Sequence, residues 1–234
     1  MTAYGTVTEL KARTQIESTD ASRDTVLGAM LDAAKVLIDQ LLNHKDGFIA
    51  LTVAVARYFP GSGKTYQWID ECVEISSVAV KDSASDTAFT AWTTPTDNFS
   101  GDGDWIAFAG TPQYPSYNVL PYTGLMIDPN GSYSLFNSGL FTTRGGFRPE
   151  NESVRNVPMV KVTAKYGYSV TAPALIKEAN LAQASRWYKK AQSAWADTLA
   201  SAEMGTMMYT KKLDPDIETM LMESRYYRPM LAGA

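Results

Sequence analysis

The sequence predicts an α+β protein: a small helical bundle formed by the N- and C-terminal helices, with an inserted antiparallel β-rich region. Three observations predict this. Apolar residues recur at spacings of three and four near both ends of the chain, the period of a helix with one buried face. Aromatic residues, Pro and Gly concentrate in the middle. The middle also carries β-branched runs with period two, separated by turn signals. At 234 residues the chain is long enough for one large domain or two small ones, with a sizeable core.

Residues 1–45 read as helical. Thr6-Val-Thr-Glu9 fits a capping box, in which hydroxyl and carboxylate satisfy first-turn amides, and opens a short helix to about Thr14. Asp20 or Ser22 is placed to cap a second, longer helix. Its apolar stripe runs Val26, Leu27, Met30, Leu31, Ala34, Leu37, Ile38, Leu41 and Leu42, with Asp32, Lys35 and Asp39 on the other side.

Residues 46–170 form the β-rich region. Strands are expected in Phe48–Phe59, in Trp68–Val80 and in Met159–Tyr168, where Val160, Val162 and Ala164 alternate with Lys161, Thr163 and Lys165. The first and last of these are expected to pair and close the region. Residues 83–157 carry short β-like pieces broken at Asp97-Asn98, Gly101-Asp-Gly103 and Pro129-Asn-Gly131.

Residues 171–234 return to helix. Thr171 and Pro173 suit a helix start, and nine alanines between 172 and 200 favour a long helix to about Ala200. Its stripe is Leu181, Ala184, Tyr188, Ala191, Trp195 and Leu199, with Trp187 exposed beside it. A loop over 201–213 holds Met204, Met207, Met208 and Tyr209, an adaptable apolar surface and a possible interface. Asp214-Pro215 then opens a last helix, with Asp216 and Glu218 in its first turn, running to about Tyr227. Residues 228–234 read as a C-terminal arm.

Composition removes several classes of function. Hydrophobic residues make up 45% and charged residues 20%, unlike a disordered acidic chain. The net charge of −4 argues against coating nucleic acid by bulk charge, and all of it falls within 46–170. No apolar run is long enough to span a bilayer, and no secretory signal is expected at the N-terminus. A single cysteine, Cys72, permits no internal disulfide and fits a reducing cytoplasm. A single histidine, His44, excludes sites that need two imidazoles.

Candidate chemistry is sparse. Gly61-Ser-Gly-Lys-Thr65 looks like the end of a phosphate-binding loop, but position 58 is Tyr, Pro60 removes an amide, and a strand follows. A β-hairpin turn is the expected reading. Asp70, Glu71 and Glu74, or Asp97, Asp102 and Asp104, match no calcium-loop spacing and read as solvated acids. Trp92, Trp105, Tyr114, Tyr117, Tyr122 and Tyr133 suit either a β core or a sugar platform. His44 reads as a helix cap and Cys72 as a buried thiol. No catalytic, cofactor-binding or metal-binding residue is assigned. Arg225-Tyr-Tyr-Arg-Pro-Met-Leu231 gathers residue types enriched at interfaces, either as a helix end docked on its own bundle or as an arm for a partner.

Three stretches together resemble the head–tail connector (adaptor, or head-completion) proteins of tailed bacteriophages. They are Tyr4-Gly-Thr-Val-Thr-Glu-Leu-Lys with a helix ending Ile38-Asp39; Val160–Tyr168 followed by Pro173–Lys190; and Leu213-Asp-Pro-Asp216 followed by Arg225-Tyr-Tyr-Arg228. The likeness covers roughly 1–82 and 158–228, and leaves 83–157 as an expanded insertion. It implies a non-enzymatic virion protein of the neck, made in the host bacterial cytoplasm. Such a protein forms a ring, generally of twelve copies, under the portal protein and extends the DNA channel. It provides the platform for a stopper or tail-completion protein. Genomic DNA would pass through the lumen without sequence-specific binding, and no membrane or cofactor is involved. By motif, Arg225, Tyr226, Tyr227 and Arg228 would dock the portal, with Met230 and Leu231 in the arm. The alternatives are another virion structural protein, such as a stopper or minor capsid component, and a carbohydrate-binding β module.

Overall fold

A computed structural model describes residues 3–138, 157–192 and 213–227. They make a mixed α+β chain with four helices and a seven-stranded antiparallel sheet. The chain divides into two compact units, one drawn from Met1–Ile49 and Thr171–Ala234, the other from Ala50–Val170.

The first unit contains α1 (Val7–Thr14), α2 (Asp24–Leu42), α3 (Ala174–Gln192) and α4 (Pro215–Met222). Thr6 and Glu9 make the full capping box of α1, each side chain bonding the other residue's amide. The start of α2 differs from expectation. Asp20 accepts the Ser22 N–H at 2.9 Å and makes a turn ahead of the helix, so helix begins only at Asp24, with no side-chain cap. Asp24 instead pairs with Lys11 of α1 at 2.5 Å. Asn43 ends α2 in the left-handed conformation. At α4 the side chain of Asp214 accepts the Asp216 N–H and Pro215 opens the helix. The last helix stops at Met222, short of Tyr227, and 223–227 continue as turns. Leu10, Leu27 and Leu31 pack with Leu181, Ala184 and Tyr188, joining α1, α2 and α3. Trp187 is half-buried rather than exposed. Trp195, Leu199 and the loop holding Met204, Met207, Met208 and Tyr209 lie outside the described residues.

Polar ties hold the same three helices. Asn180 of α3 is fully buried; it accepts the Gly5 N–H at 3.1 Å and donates to the Leu31 carbonyl at 2.9 Å. Glu9 meets Lys177 at 2.5 Å. The Lys177 ammonium is the main cause, with the Thr6 amide behind it, that lowers the Glu9 carboxyl to about 2 from an ordinary 4.5. A lowered pKa stabilises the fold above the ordinary value, and this contribution fades as pH falls from about 4.5 toward 2. The pair is solvated, so the effect on stability is small. A carboxyl titration by NMR is expected to place Glu9 near 2, and Lys177→Met to return it toward the ordinary range; an unchanged titration in the variant contradicts the pairing.

The second unit is built on β1 (Val55–Pro60), β2 (Tyr66–Val80), β3 (Thr90–Ala91), β4 (Trp105–Thr111), β5 (Tyr114–Ser116), β6 (Tyr122–Ile127) and β7 (Pro158–Tyr166). The order across the sheet is β1-β7-β2-β6-β4-β5, with β3 beside β2. The first and last strands of the region pair, Val55 opposite Ala164 and Phe59 opposite Val160. The stretch before Val55 is not regular strand. Gly61–Thr65 is also not a hairpin turn. β7 lies between β1 and β2 and pairs with both, so the loop steps over it. Along β7, Val160, Val162 and Ala164 are buried and Lys161, Thr163 and Lys165 half-buried, the alternation of a strand with one core face. The core adds Trp92, Trp105, Leu125, Phe136 and Tyr166.

Candidate functional site

The C-terminal motif lands on a built pocket of its own unit. Tyr226 is 8% exposed, and its ring meets Phe48 edge-on at 5.6 Å. Phe48 is fully buried and also contacts the His44 ring at 4.2 Å. His44 is not a surface helix cap: Asn43 takes that place, and the imidazole turns inward, 4% exposed. Its Nε2 lies 3.0 Å from the Tyr226 carbonyl oxygen, an acceptor only, so Nε2 carries the proton. Arg225 remains exposed with its guanidinium 5.1 Å from the Tyr226 ring centroid, and Tyr227 is half-buried. Arg228, Met230 and Leu231 lie outside the described residues.

A polar knot supports this pocket. The Tyr4 hydroxyl donates to Asp39 and accepts the Phe48 N–H at 2.7 Å. Lys35 Nζ reaches Asp39 Oδ2 at 2.8 Å, with both side chains largely buried, and lies 5.0 Å from the Tyr4 ring centroid. Burial, then the bond and the charge of Asp39, push the Tyr4 hydroxyl well above its ordinary pKa, so it stays protonated and donating. Gly47 has φ +73°, and a Cβ there would fall 2.9 Å from the Tyr4 hydroxyl and 3.1 Å from Asp39 Oδ2. Sequence reasoning singled out Tyr4 and Asp39 only as the two ends of one resembling stretch; a contact 35 positions apart left no local signal.

The remaining candidates serve structure. In the phosphate-loop lookalike, the Ser62 N–H is taken by Gln67 at 2.9 Å and Lys64 Nζ turns to the Tyr66 hydroxyl at 3.1 Å. Gly61 is required because a Cβ there would overlap the Asn137 carbonyl oxygen, at 1.6 Å. Asp70 pairs with Arg57 at 2.6 Å and Glu74 with Lys165 at 2.7 Å. Asp97 accepts the Phe99 N–H at 2.7 Å. Asp102 bonds Ser100 and Thr96, which hold its carboxyl down at about 2. Asp104 is not a solvated acid: it is 4% exposed and accepts the N–H groups of Thr93 at 2.7 Å and Ser132 at 2.8 Å. Burial raises its pKa, but the two amides outweigh that and hold it below the ordinary value. Among the described residues, no group of three or more His, Cys, Asp or Glu side chains is placed to hold a metal.

Trp92 and Trp105 are 5% and 3% exposed and belong to the core, not to a platform. Tyr133 stacks on Trp92 at 4.4 Å. Tyr114 is 85% exposed, while Tyr117 and Tyr122 are half-buried. Among the described residues the exposed indole is Trp68, beside Tyr66, which sequence reasoning passed over as a platform residue. Cys72 is fully buried, and burial first of all pushes its thiol up to about 12. A thiol reagent is therefore expected to leave the native protein unlabelled and to modify one site after denaturation; rapid native labelling contradicts the buried placement.

No protein-family model matches this sequence, and no curated protein matches it significantly.

Proposed function

We propose that this chain is a structural protein of the phage neck: a head–tail connector that rings the DNA channel beneath the portal and offers a platform to a stopper or tail-completion protein. The observation that carries the reading is how the resembling stretches meet. Glu9 of the first stretch meets Lys177 of the second, Gly5 bonds Asn180, and the Asp214 carboxylate of the third reaches Arg186 at 3.2 Å. Residues far apart in sequence, on which the resemblance rests, are thus partners in one helical unit. We read α1 to α4 as the small bundle of the connector and the β-rich unit as its inserted region.

Other features support the same role. A mildly acidic chain gives DNA few phosphate contacts to hold, which suits a channel through which DNA slides. Arg225 remains exposed beside the buried Tyr226, so the last described turn presents a cation at the point where the arm begins. The carbohydrate reading loses its two tryptophans to the core.

The test is binding to the cognate portal after removal of 228–234, a truncation that leaves Tyr226 in its pocket. Loss of binding with an unchanged circular dichroism spectrum is expected. Unaffected binding contradicts the docking role of the arm and favours another virion position, such as a stopper.

A further inference from the structure

Asn130 is the one asparagine of the sequence that glycine follows. That pair has a chemistry of its own, because glycine has no side chain to keep its backbone nitrogen from the side-chain carbonyl carbon of the asparagine before it. The structure leaves this amide free to react. Asn130 is exposed in the turn after β6. Its backbone N–H donates to Asp128 Oδ1 at 2.9 Å, while its side-chain amide makes no hydrogen bond among the described residues.

The other described asparagines are held or screened. Asn98 bonds both backbone groups of Ala107, and Asn137 donates to the Lys81 and Asp82 carbonyls at 3.0 and 3.2 Å. Asn180 is buried between Gly5 and Leu31. Asn118 accepts from Asn98 at 3.2 Å and precedes Val119, whose branched side chain crowds the attacking nitrogen. Asn43 precedes His44, whose N–H is tied to the Asp39 carbonyl at 2.9 Å.

We propose that Asn130 is a site of spontaneous deamidation in the folded protein, and that the isoaspartate formed there opens the clamp around Asp104. The Gly131 backbone nitrogen gives up its proton and bonds to Asn130 Cγ. The Cγ–Nδ2 bond breaks and ammonia leaves, which closes a cyclic imide. Water then cleaves either C–N bond of the imide. Cleavage at Cγ gives aspartate, and cleavage at the main-chain carbonyl carbon gives isoaspartate. Water enters and ammonia departs, with no oxidant or reductant. The Gly131 N–H first has to leave the Asp128 carbonyl, 3.0 Å away. One hydrogen bond of ordinary strength slows the reaction roughly fivefold relative to the unfolded chain.

Isoaspartate lengthens the main chain by one carbon just before Gly131, where there is no slack. A Cβ on Gly131 would already fall 2.8 Å from Asp104 Cα and 3.0 Å from the Gly103 carbonyl oxygen. One residue on, the Ser132 N–H donates to Asp104 Oδ1 at 2.8 Å, and the Asp128 N–H donates to the Asp104 carbonyl at 3.1 Å. The longer chain cannot keep both bonds, so Asp104 loses Ser132. The inference is independent of the neck assignment, since it needs only this turn.

The test is incubation of the full chain at mildly alkaline pH, native and in denaturant, with peptide mapping that separates isoaspartate from aspartate. Product at 130 is expected in the native protein ahead of every other described asparagine, and roughly fivefold faster in denaturant. Asn130→Gln, whose longer side chain closes a ring more slowly, is expected to stop the accumulation with an unchanged circular dichroism spectrum. Amide hydrogen exchange reads the clamp. The isoaspartate form is expected to lose protection at Ser132, whereas Asn130→Asp, with the same charge on a chain of normal length, is expected to keep it. A native protein that stays amidated at 130, reaction first at another described asparagine, or Ser132 protection that is alike in the isoaspartate form and Asn130→Asp overturns the proposal.

Discussion

Tyr226→Ala is expected to destabilise the helical unit by about 3 kcal/mol, the lower end for truncating a buried large aromatic. The ring is 8% exposed and packs on Phe48, which itself also contacts His44 and Tyr4. Its loss opens a cavity beside Phe48 and loosens the turn whose carbonyl the His44 Nε2–H holds. Tyr226→Phe keeps the ring and loses the hydroxyl that Arg225 Nη2 reaches at 3.1 Å, so it is expected to cost about 1 kcal/mol or less. Denaturant unfolding checks both. Equal stability of the alanine variant and the wild type contradicts the pocket and frees Tyr226 for a partner.

Trp92→Ala is expected to cost more, about 4 kcal/mol, in the β-rich unit. The indole is sandwiched among rings, Tyr133 at 4.4 Å and nearly parallel, Phe136 at 5.0 Å. Its backbone N–H donates to the Val78 carbonyl of β2, so the side chain fixes the segment carrying β3 against the sheet. Stacked aromatic pairs add about 1 kcal/mol beyond area burial, and alanine forfeits that as well. The expected readouts are an earlier unfolding midpoint and loss of the near-ultraviolet aromatic signal. A variant with wild-type stability that has lost binding to a sugar ligand contradicts the core placement.

The two variants separate what was legible in the sequence from what was not. Local signals read well. The Thr6–Glu9 capping box, the Asp214-Pro215 helix start and the alternation along β7 each involve neighbours a few positions apart. Competition among local signals already misled: Asp20 is a good cap by type, but Ser22 takes its carboxylate and Lys11 draws Asp24 to the helix start. Long-range pairing was partly legible. The closing of β1 on β7 follows from two β-prone runs at the ends of one region, whereas the seat of β7 between β1 and β2 has no local mark.

Side-chain placement was least legible. Nothing near Trp92 distinguishes a platform from a core ring; Tyr133 and Phe136, some forty positions on, decide it. Asp104 has the composition of a solvated turn, yet the amides of Thr93 and Ser132 bury it as a clamp between loops. The pocket of Tyr226 needed Phe48, placed by sequence at the start of a strand but found in the helical unit. Its glycine neighbour, Gly47, is explained only by the Tyr4–Asp39–Lys35 knot it makes room for.

The central proposal is a place in the phage neck, and quantitative mass spectrometry of purified virions tests it most directly. The ratio of this chain to portal protein is the quantity to read. A ratio near one is the expected result, because a connector ring matches the portal copy for copy. Absence of the chain from intact virions would contradict the neck assignment.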